Sequence, residues 1–354
     1  MKKTLALLLA LAMTAALLTG CGSTAAEPST AAPGAEASAA DTPAKPEYTM
    51  KLSYTHSEGS FGSLMCEKMA DLIEEKSQGR IKVERYPAGQ LGDKIANLEG
   101  LRSGTVDICQ CAATDISSWN DRWSVFSLPF MFANYQEAQK AFQDPTVRGM
   151  LNADLSEIGM VMLGVEDAGA RSVINNKRPI NEPEDCKGIT IRCLQDTYIA
   201  RGFELCGFNP VAMGWTEVYS AIQQGTVDGA DNSAVYLYDA KFQELCKYVS
   251  LTEMIRQPGC IMMSYSTYNG LPEGLKAAVD EAGAEWEAWQ WEAYEAYETE
   301  ALENLKAAGC EINAVSDENH QKFVDVTAPL YDEFFQKVPA ARELYDAMMA
   351  AVGK

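Results

Sequence analysis

Strand-like and helix-like patterns alternate along the chain from residue 50 onward. Residues 50–55 alternate apolar and polar side chains, as a half-buried strand does, and residues 62–77 repeat apolar side chains at helical spacing. Residues 81–86 and 106–111 predict two further strands, with a helix over residues 94–103 between them. Strands that alternate with helices indicate parallel βαβ units, so the pattern predicts an α/β fold.

One short motif occurs twice. GTVD is found at residues 104–107 and at residues 225–228, and each copy lies between the end of a predicted helix and the start of a predicted strand. The glycine of each copy is suited to end a helix in the left-handed conformation. Two unrelated turns could share these common residues, but the equivalent placement of the copies favours two similar lobes.

A long helical segment follows in the second part of the chain. Residues 272–308 contain no proline after Pro272 and are rich in Ala, Glu and Trp. At 1.5 Å per residue such a helix is roughly 50 Å long, which exceeds the width of one lobe. Its aromatic residues could form a carbohydrate platform, but aromatic residues at helical spacing more often pack against a core. We therefore predict a packed helix that spans both lobes and on which they hinge.

The N-terminal segment predicts export. Residues 1–20 have a lysine pair followed by a run of Leu and Ala, as a secretory signal peptide does, and small residues precede Cys21. This pattern is typical of a bacterial lipoprotein in which Cys21 carries the lipid; a cleaved signal followed by a chance cysteine is the alternative. Residues 21–47 are rich in Ala, Ser, Thr and Pro and predict a flexible tether. The predicted location is the extracytoplasmic face of the cell membrane, with a lipid anchor.

Charge and cysteine content exclude several classes of partner. The chain has 50 acidic and 29 basic residues and a formal net charge of -21, which argues against nucleic acid and an anionic membrane surface as partners. Nine of the ten cysteines lie beyond Cys21 without a CxxC pair, and the whole chain has two histidines. We therefore expect no metal, no cofactor, and mainly free buried thiols with at most one or two disulfides.

Four segments of the chain carry a family resemblance. They are YPAGQLGD (residues 86–93), SLPFMF (127–132), GARSVINNKRPINEPEDCKGITIRC (169–193) and NPVAMGWTEVYSAIQQGTVDGADN (209–232), in this order. With them, the chain after residue 48 strongly resembles the extracytoplasmic solute-binding proteins of tripartite ATP-independent periplasmic (TRAP) transporters, the DctP family. Within that family it resembles the sugar-acid (hexuronate) subgroup.

The resemblance implies a fold and a domain organisation. The expected fold is α/β, two-lobed and periplasmic-binding-protein-like, with mixed sheets, a hinge and a long helix that spans both lobes. Lobe I is expected to contain residues 48–168 and 258–297, and lobe II residues 169–257 and 298–354. The cleft between the lobes is expected to close around a small organic acid, and the expected partner is the membrane permease of a TRAP transporter.

The resemblance also assigns roles to charged and polar residues. In the family, the arginine of the GxxIR segment pairs with the ligand carboxylate, and here that residue is Arg192; a planar guanidinium matches a carboxylate with two parallel hydrogen bonds. Arg171 matches a second arginine that approaches the same carboxylate, and Asn232 matches an asparagine that contacts the ligand. Asp231 stands where the family usually has glutamate, beside the site. The structural alternative for both arginines is an ion pair with nearby acids.

Further candidates come from both sides of the expected cleft. Trp215 could lie against the face of a sugar ring or could pack within its lobe. Thr55, His56 and Glu58 follow the first strand, where the opposite lobe presents polar groups to the ligand. His56 could donate to a ligand hydroxyl or could be a solvated turn residue. Met254 replaces a histidine that is usual in the subgroup, so the exact specificity of the subgroup does not transfer.

These residues together predict a solute receptor rather than an enzyme. It would capture a small organic acid, a hexuronate or related sugar acid, and deliver it to the permease. A C4-dicarboxylate receptor is the alternative among binding proteins, and it would need a second cationic group near the far end of the ligand. A surface hydrolase or lyase acting on carbohydrate acids is the alternative of another class. No GxSxG motif or metal-ligand cluster favours it, but abundant acidic residues leave a paired-carboxylate hydrolase open.

Overall fold

The computed structural model describes residues 45–354. The predicted signal peptide, Cys21 and the tether up to residue 44 lie outside the described residues. Between residues 45 and 354, no helix has the length and apolar character that a membrane crossing requires.

The strands of the described region form one mixed sheet. They are β1 (Tyr48–Ser53), β2 (Ile81–Tyr86), β3 (Ile108–Ala112), β4 (Met160–Asn175), β5 (Thr190–Cys193), β6 (Asn209–Ala212), β7 (Gly229–Asn232), β8 (Tyr248–Ser264) and β9 (Glu311–Ala314). Their order in the sheet is β2-β1-β3-β8-β4-β7-β5-β6, and β9 pairs with β8 beside this path. The predicted α/β fold with a mixed sheet is confirmed.

Helices connect the strands and cover the sheet. They are α1 (Phe61–Lys76), α2 (Lys94–Ser103), α3 (Tyr135–Gln143), α4 (Pro145–Glu157), α5 (Thr197–Cys206), α6 (Val218–Gln223), α7 (Ala234–Asp239), α8 (Tyr265–Asn269), α9 (Glu273–Ala307), α10 (Asp317–Thr327), α11 (Pro329–Lys337) and α12 (Ala341–Val352). The helix predicted over residues 94–103 is present with those bounds. The long predicted helix is α9, which has 35 residues.

Two long antiparallel strands join the halves of the sheet. One end of the β4–β8 pair lies beside β3, and the other end lies beside β7 and β9. The register of the pair shifts between Asp167 and Ala170, and both Gly169 (φ 75°) and Glu253 (φ 47°) have left-handed backbone conformations. Irregularities of this kind bend a strand pair. We term β2-β1-β3 with the adjoining strand ends the first half, and β7-β5-β6 with the other ends the second half.

The repeated GTVD motif forms the same turn in both halves. The glycines of the two copies have φ values of 75° and 73°. In the first copy Asp107 N donates to Lys51 O of β1, and Lys51 N donates back to Asp107 Oδ2 (2.8 Å). In the second copy Asp228 N donates to Thr190 O of β5, and Thr190 N donates back to Asp228 Oδ2 (2.9 Å). The sequence repeat is therefore also a structural repeat, in which each aspartate pins the start of a parallel strand pair.

The long helix α9 packs with its aromatic residues inward. Trp286 and Trp291 are buried, and Trp286 Nε1 donates to Met65 O (2.8 Å). The side chain of Gln290 exchanges two 2.8 Å hydrogen bonds with the backbone of Asp167, at the register shift of the crossing strands. These contacts confirm the packing interpretation of the aromatic residues. They also fix α9 to the junction between the halves.

The C-terminal helix α12 packs against segments that follow β3 in the chain. Leu344 and Met348 of α12 belong to the same buried cluster as Trp123 and Phe126, which lie in the segment between β3 and β4. Helix α12 also packs against α3 and α4. The assignment of residues 298–354 to the second lobe stays a prediction. Helical periodicity shows that one face of α12 is buried, but it does not show which partner buries it.

The nine cysteines of the described region are buried free thiols. Burial raises the pKa of all nine, so their thiolate forms are disfavoured at neutral pH. They act as small hydrophobic residues, as their apolar sequence neighbours predict.

Candidate functional site

A cavity, the inner cavity, lies where the carboxyl ends of the parallel strands of both halves meet. Ligand sites in open α/β sheets commonly lie at such strand ends. The lining residues are His56, Asp93, Lys94, Ile95, Gln110, Ala112 and Asp115 from the first half, Arg171, Arg192, Leu194, Gln195, Gly214, Trp215, Asn232 and Tyr236 from the second half, and Ala168, Gln257 and Gly259 from the crossing strands.

The two halves touch along one edge of the inner cavity. A Cβ atom on Gly214 would lie 3.5 Å from Asp93 Oδ2, and one on Gly89 would lie 3.2 Å from Thr216 Cγ2. The contact joins the YPAGQLGD turn of the first half to the loop before α6 in the second half. The inner cavity is therefore enclosed by residues from both halves.

Arg192 is the most deeply buried cation of the inner cavity. It lies on β5 and is 1% exposed, and its Nε and Nη2 donate to Met213 O at 3.1 and 2.8 Å. Its Nη1 is buried and has no hydrogen-bond partner within residues 45–354. Burial lowers the pKa of Arg192 to about 10, so the guanidinium remains charged at neutral pH. The Trp215 ring lies 5.3 Å from its guanidinium carbon, within cation–π range.

Arg171 lies on β4 and is paired within the protein. Its Nε donates to Asp231 Oδ2 (2.5 Å), its Nη2 donates to Asp231 O (2.8 Å), and its Nη1 donates to Asn232 Oδ1 (3.2 Å). Arg171 and Asn232 line the inner cavity, whereas Asp231 is fully buried behind Arg171 and is not among the lining residues. Asp231 thus orients Arg171, and the ion pair that the sequence left as an alternative for Arg171 is present.

A buried hydrogen-bonded chain joins three lining residues of the inner cavity to Glu166 behind them. His56 Nε2 lies 3.2 Å from Gln110 Oε1, Gln110 Nε2 donates to Glu166 Oε1 (2.6 Å), and the Tyr236 hydroxyl also donates to Glu166 Oε1 (3.4 Å). The His56 ring stacks on Tyr236, with centroids 5.0 Å apart. His56 is 6% exposed, so it is not a solvated turn residue, and burial lowers its pKa to about 3. Its imidazole is therefore neutral at physiological pH.

The structure places the other two sequence candidates outside the inner cavity. Thr55 lines an adjoining cavity, and its buried Oγ1 has no hydrogen-bond partner in the described region. Glu58 lines a groove farther out, beside Ser57 and Lys241. Contacts of either residue with a ligand stay predictions.

Sequence patterns also missed several lining residues. Lys94 and Asp115 bring opposite charges to the first-half wall, and Gln257 lies on β8 at the crossing. Both amide atoms of Gln257 are buried without a hydrogen-bond partner among residues 45–354. A polar side chain within an otherwise apolar strand could have indicated such residues, and Gln110 in the strand ICQCA is an example. Buried amides are normally hydrogen-bonded, so the free amide of Gln257 indicates an open recognition position.

The buried carboxyl of Glu166 makes the folding stability depend on pH. Burial raises the pKa of Glu166 to about 7, and its Oε2 has no partner in the described residues. The folded state therefore holds a proton that the unfolded state has lost between about pH 4.5 and pH 7, so this contribution to stability is complete at low pH and falls as pH rises. We expect Glu166→Gln to leave the free energy of unfolding nearly unchanged at pH 5. At pH 8 the substitution should raise it by up to about 3 kcal/mol.

Urea unfolding at the two pH values measures this difference. The exposed Glu303→Gln is the control and should show equal effects at both pH values. A Glu166→Gln variant that is destabilised equally at pH 5 and pH 8 would show that Glu166 is ionised in the folded protein throughout this range.

Comparison with known proteins gives the family. The chain matches the bacterial extracellular solute-binding protein family 7 (DctP) over residues 52–338. The chain belongs to this family. A TRAP periplasmic solute-binding protein from Roseobacter denitrificans, solved with bound β-D-glucuronate, has a similar structure, with a TM-score of 0.81 and 28% identity over 85% of this chain and 99% of that chain.

Two binding proteins are also similar in sequence. The 2,3-diketo-L-gulonate-binding periplasmic protein YiaO of Escherichia coli is 26% identical, covering 85% of this chain and 91% of its own length. The C4-dicarboxylate-binding protein DctB of Bacillus subtilis is 25% identical, covering 81% of this chain and 82% of its own. The predicted family and two-lobed α/β fold are confirmed.

Proposed function

We propose that this family member is the lipid-anchored receptor of a TRAP transporter and captures a sugar acid of hexuronate size for delivery to the permease. The observation that carries the proposal is the buried Nη1 of Arg192, a charged donor without a partner among the described residues, at a cavity enclosed by both halves. A buried cation without a full set of acceptors costs free energy, and a bound carboxylate would supply the missing acceptor.

The second arginine supports the same position for the carboxylate. Arg171 lines the same cavity, and Asp231 and Asn232 hold its guanidinium in a fixed orientation. Asp231 neutralises one of the two positive charges of Arg171 and Arg192. About one positive charge remains, which one ligand carboxylate would balance. Charge-assisted hydrogen bonds to a carboxylate are roughly twice as strong as neutral ones.

Neutral polar groups supply partners for hydroxyls on the rest of the ligand. The free amide of Gln257 can donate and accept hydrogen bonds, and the amide nitrogen of Asn232 can donate, while the Asn232 oxygen already accepts from Arg171 and Ser233. The neutral ring of His56 is a further polar group in the wall. A hydroxylated acid would use these groups, whereas an apolar acid would leave them unsatisfied. The glucuronate bound by the Roseobacter denitrificans relative and the diketogulonate in the name of YiaO belong to the same chemical class.

Lys94 favours a second candidate, a C4-dicarboxylate receptor. It lines the first-half wall of the inner cavity and could balance a second carboxylate. The relative from Bacillus subtilis is named for C4-dicarboxylates. Asp93 and Asp115 lie on the same wall and offset the charge of Lys94. We therefore place the sugar acid first.

The remaining parts of the proposal concern delivery and chemistry. Contacts from both halves to one ligand favour the closed arrangement, which the permease would recognise. Within residues 45–354, no group of three or more His, Cys, Asp or Glu side chains is placed to hold a metal ion. We propose that the protein binds its ligand without transforming it, and that a lipid on Cys21 holds it at the membrane.

A ligand screen tests the proposed function. Thermal unfolding of the purified protein with glucuronate, galacturonate, gluconate, succinate and malate should show a raised melting temperature with at least one sugar acid, because a ligand that binds only the folded state stabilises it by mass action. A rise with succinate or malate alone would favour the dicarboxylate receptor.

Two further measurements test the other parts of the proposal. Loss of a sugar acid from its mixture with the protein over hours would reveal an enzyme. A Cys21→Ala protein that stays in the membrane fraction would exclude the lipid anchor.

A further inference from the structure

A second cavity adjoins the inner cavity. It shares three wall residues with the inner cavity, namely His56, Trp215 and Tyr236. We term it the outer cavity. Because the same three side chains form part of both walls, the two cavities lie directly next to each other.

The charge of the outer cavity differs from that of the inner cavity. Its wall contains no Lys or Arg among the described residues, and Asp239 contributes a carboxyl group. Oδ2 of Asp239 accepts a hydrogen bond from Gly62 N (3.3 Å), which leaves acceptor capacity on the carboxyl group. A second carboxylate would lack a cationic partner here, whereas hydroxyl groups would find acceptors.

A buried hydroxyl supplies a further polar position. Thr55 is 5% exposed, it lines the outer cavity, and its Oγ1 has no hydrogen-bond partner within residues 45–354. A buried polar atom without a partner costs about 1–3 kcal/mol. A hydroxyl group of a ligand in the outer cavity would satisfy it.

Aromatic side chains form another part of the wall of the outer cavity. The indole of Trp215 lies against the Arg192 guanidinium and also packs on Phe242, with ring centroids 5.4 Å apart. Tyr219 and Phe242 continue the aromatic surface along the outer cavity. Aromatic rings offer apolar contact area to the CH groups of a sugar ring while the surrounding hydroxyl and carboxyl groups bind its polar rim.

We propose that the outer cavity is a second sugar subsite, and that the protein binds disaccharide acids in which a neutral sugar ring is linked to the acid held by Arg192. The idea rests on the proposed function, because the position of the carboxylate comes from it. The three shared wall residues then contact both rings. The absence of a cation from the described outer wall selects a neutral ring over a second acid.

Matched pairs of acids test the subsite by isothermal titration calorimetry. Gluconate is compared with lactobionate and cellobionate, which are gluconate with a neutral sugar ring, and glucuronate is compared with glucuronosyl-glucose. At least one extended acid should bind at least tenfold more tightly than its parent. Digalacturonate, whose second ring carries a carboxylate, should bind no more tightly than galacturonate.

Two conservative substitutions test whether the tighter binding of the extended acid comes from the outer cavity. Thr55→Val removes the unpartnered hydroxyl at nearly constant shape, and Asp239→Asn removes the carboxylate charge while keeping an acceptor for Gly62 N. Each should weaken binding of the extended acid at least fivefold more than binding of its parent. The exposed Thr299→Val is the control and should change neither affinity. The thermal melting of each variant without ligand checks its folding.

The outcomes separate this proposal from the proposed function. Parent acids that bind while every extended acid binds more weakly would show that the outer cavity is only an entry path. A gain with extended acids that both substitutions leave intact would place the second ring elsewhere. If no parent or extended acid binds, the proposed function itself fails.

Discussion

Arg192→Met should abolish acid binding while the protein stays folded. The guanidinium has a donor without a partner among residues 45–354 at the inner cavity, and each charged hydrogen bond to a ligand is worth about 1.5–3 kcal/mol. The loss of two such bonds predicts an affinity at least about 100-fold lower, which corresponds to about 2.7 kcal/mol. Titration calorimetry with the acid that emerges from the ligand screen measures the change.

The melting temperature without ligand should move little in the same variant. Removal of Arg192 also removes two hydrogen bonds to Met213 O, but it relieves the desolvation of a buried charge, and the two effects oppose each other. Arg192→Lys should lose most of the affinity, because an ammonium cannot form the parallel pair of hydrogen bonds. The control is Arg201→Met, which removes a partly exposed guanidinium paired with Glu333. Normal binding by Arg192→Met would refute the role of this arginine.

Gly283→Ala should destabilise the protein although it lies inside a helix. Alanine in a helix interior is normally about 1 kcal/mol better than glycine. A Cβ on Gly283 would lie 2.2 Å from Leu163 O and 3.1 Å from Leu163 C, which are backbone atoms of β4. Helix α9 would have to move away from the crossing strand, so we expect a net loss of about 2–4 kcal/mol in the free energy of unfolding. Urea unfolding measures it.

The same helix provides the matched control. A Cβ on Gly274 would meet no described atom within 4 Å, so Gly274→Ala should leave stability unchanged or raise it slightly. Equal stability of the two variants would show that α9 does not pack tightly against β4. A loss confined to Gly283→Ala would establish the close contact at the junction of the halves.

Local patterns predicted the elements and the repeat. The bounds of α2, the length of α9 and the shared GTVD turn depend on residues close together in sequence, which capping and periodicity rules cover. The position of Arg192 at the end of an apolar strand also followed from the chain, because carboxyl ends of parallel strands meet at one edge of a sheet.

Contacts between segments that are distant in the chain could not be predicted from the sequence patterns. Asp231 was expected beside the ligand, but the register of β4 with β7 turns its carboxylate towards Arg171, away from the inner cavity. Gln257 was missed because only the crossing of β4 and β8 brings that part of the chain to the cavity. The partner of α12 was missed for the same reason, since a buried helix face does not identify what covers it.

The crossing strands supply the floor of the inner cavity as well as the link between the halves. Ala168, Arg171, Gln257 and Gly259 line the cavity and lie on β4 and β8 at or near the register shift. A ligand in the inner cavity therefore rests directly on the segment that bends. The size of the ligand would then set the angle between the halves. The outer shape of the liganded protein would therefore differ between ligands of different size.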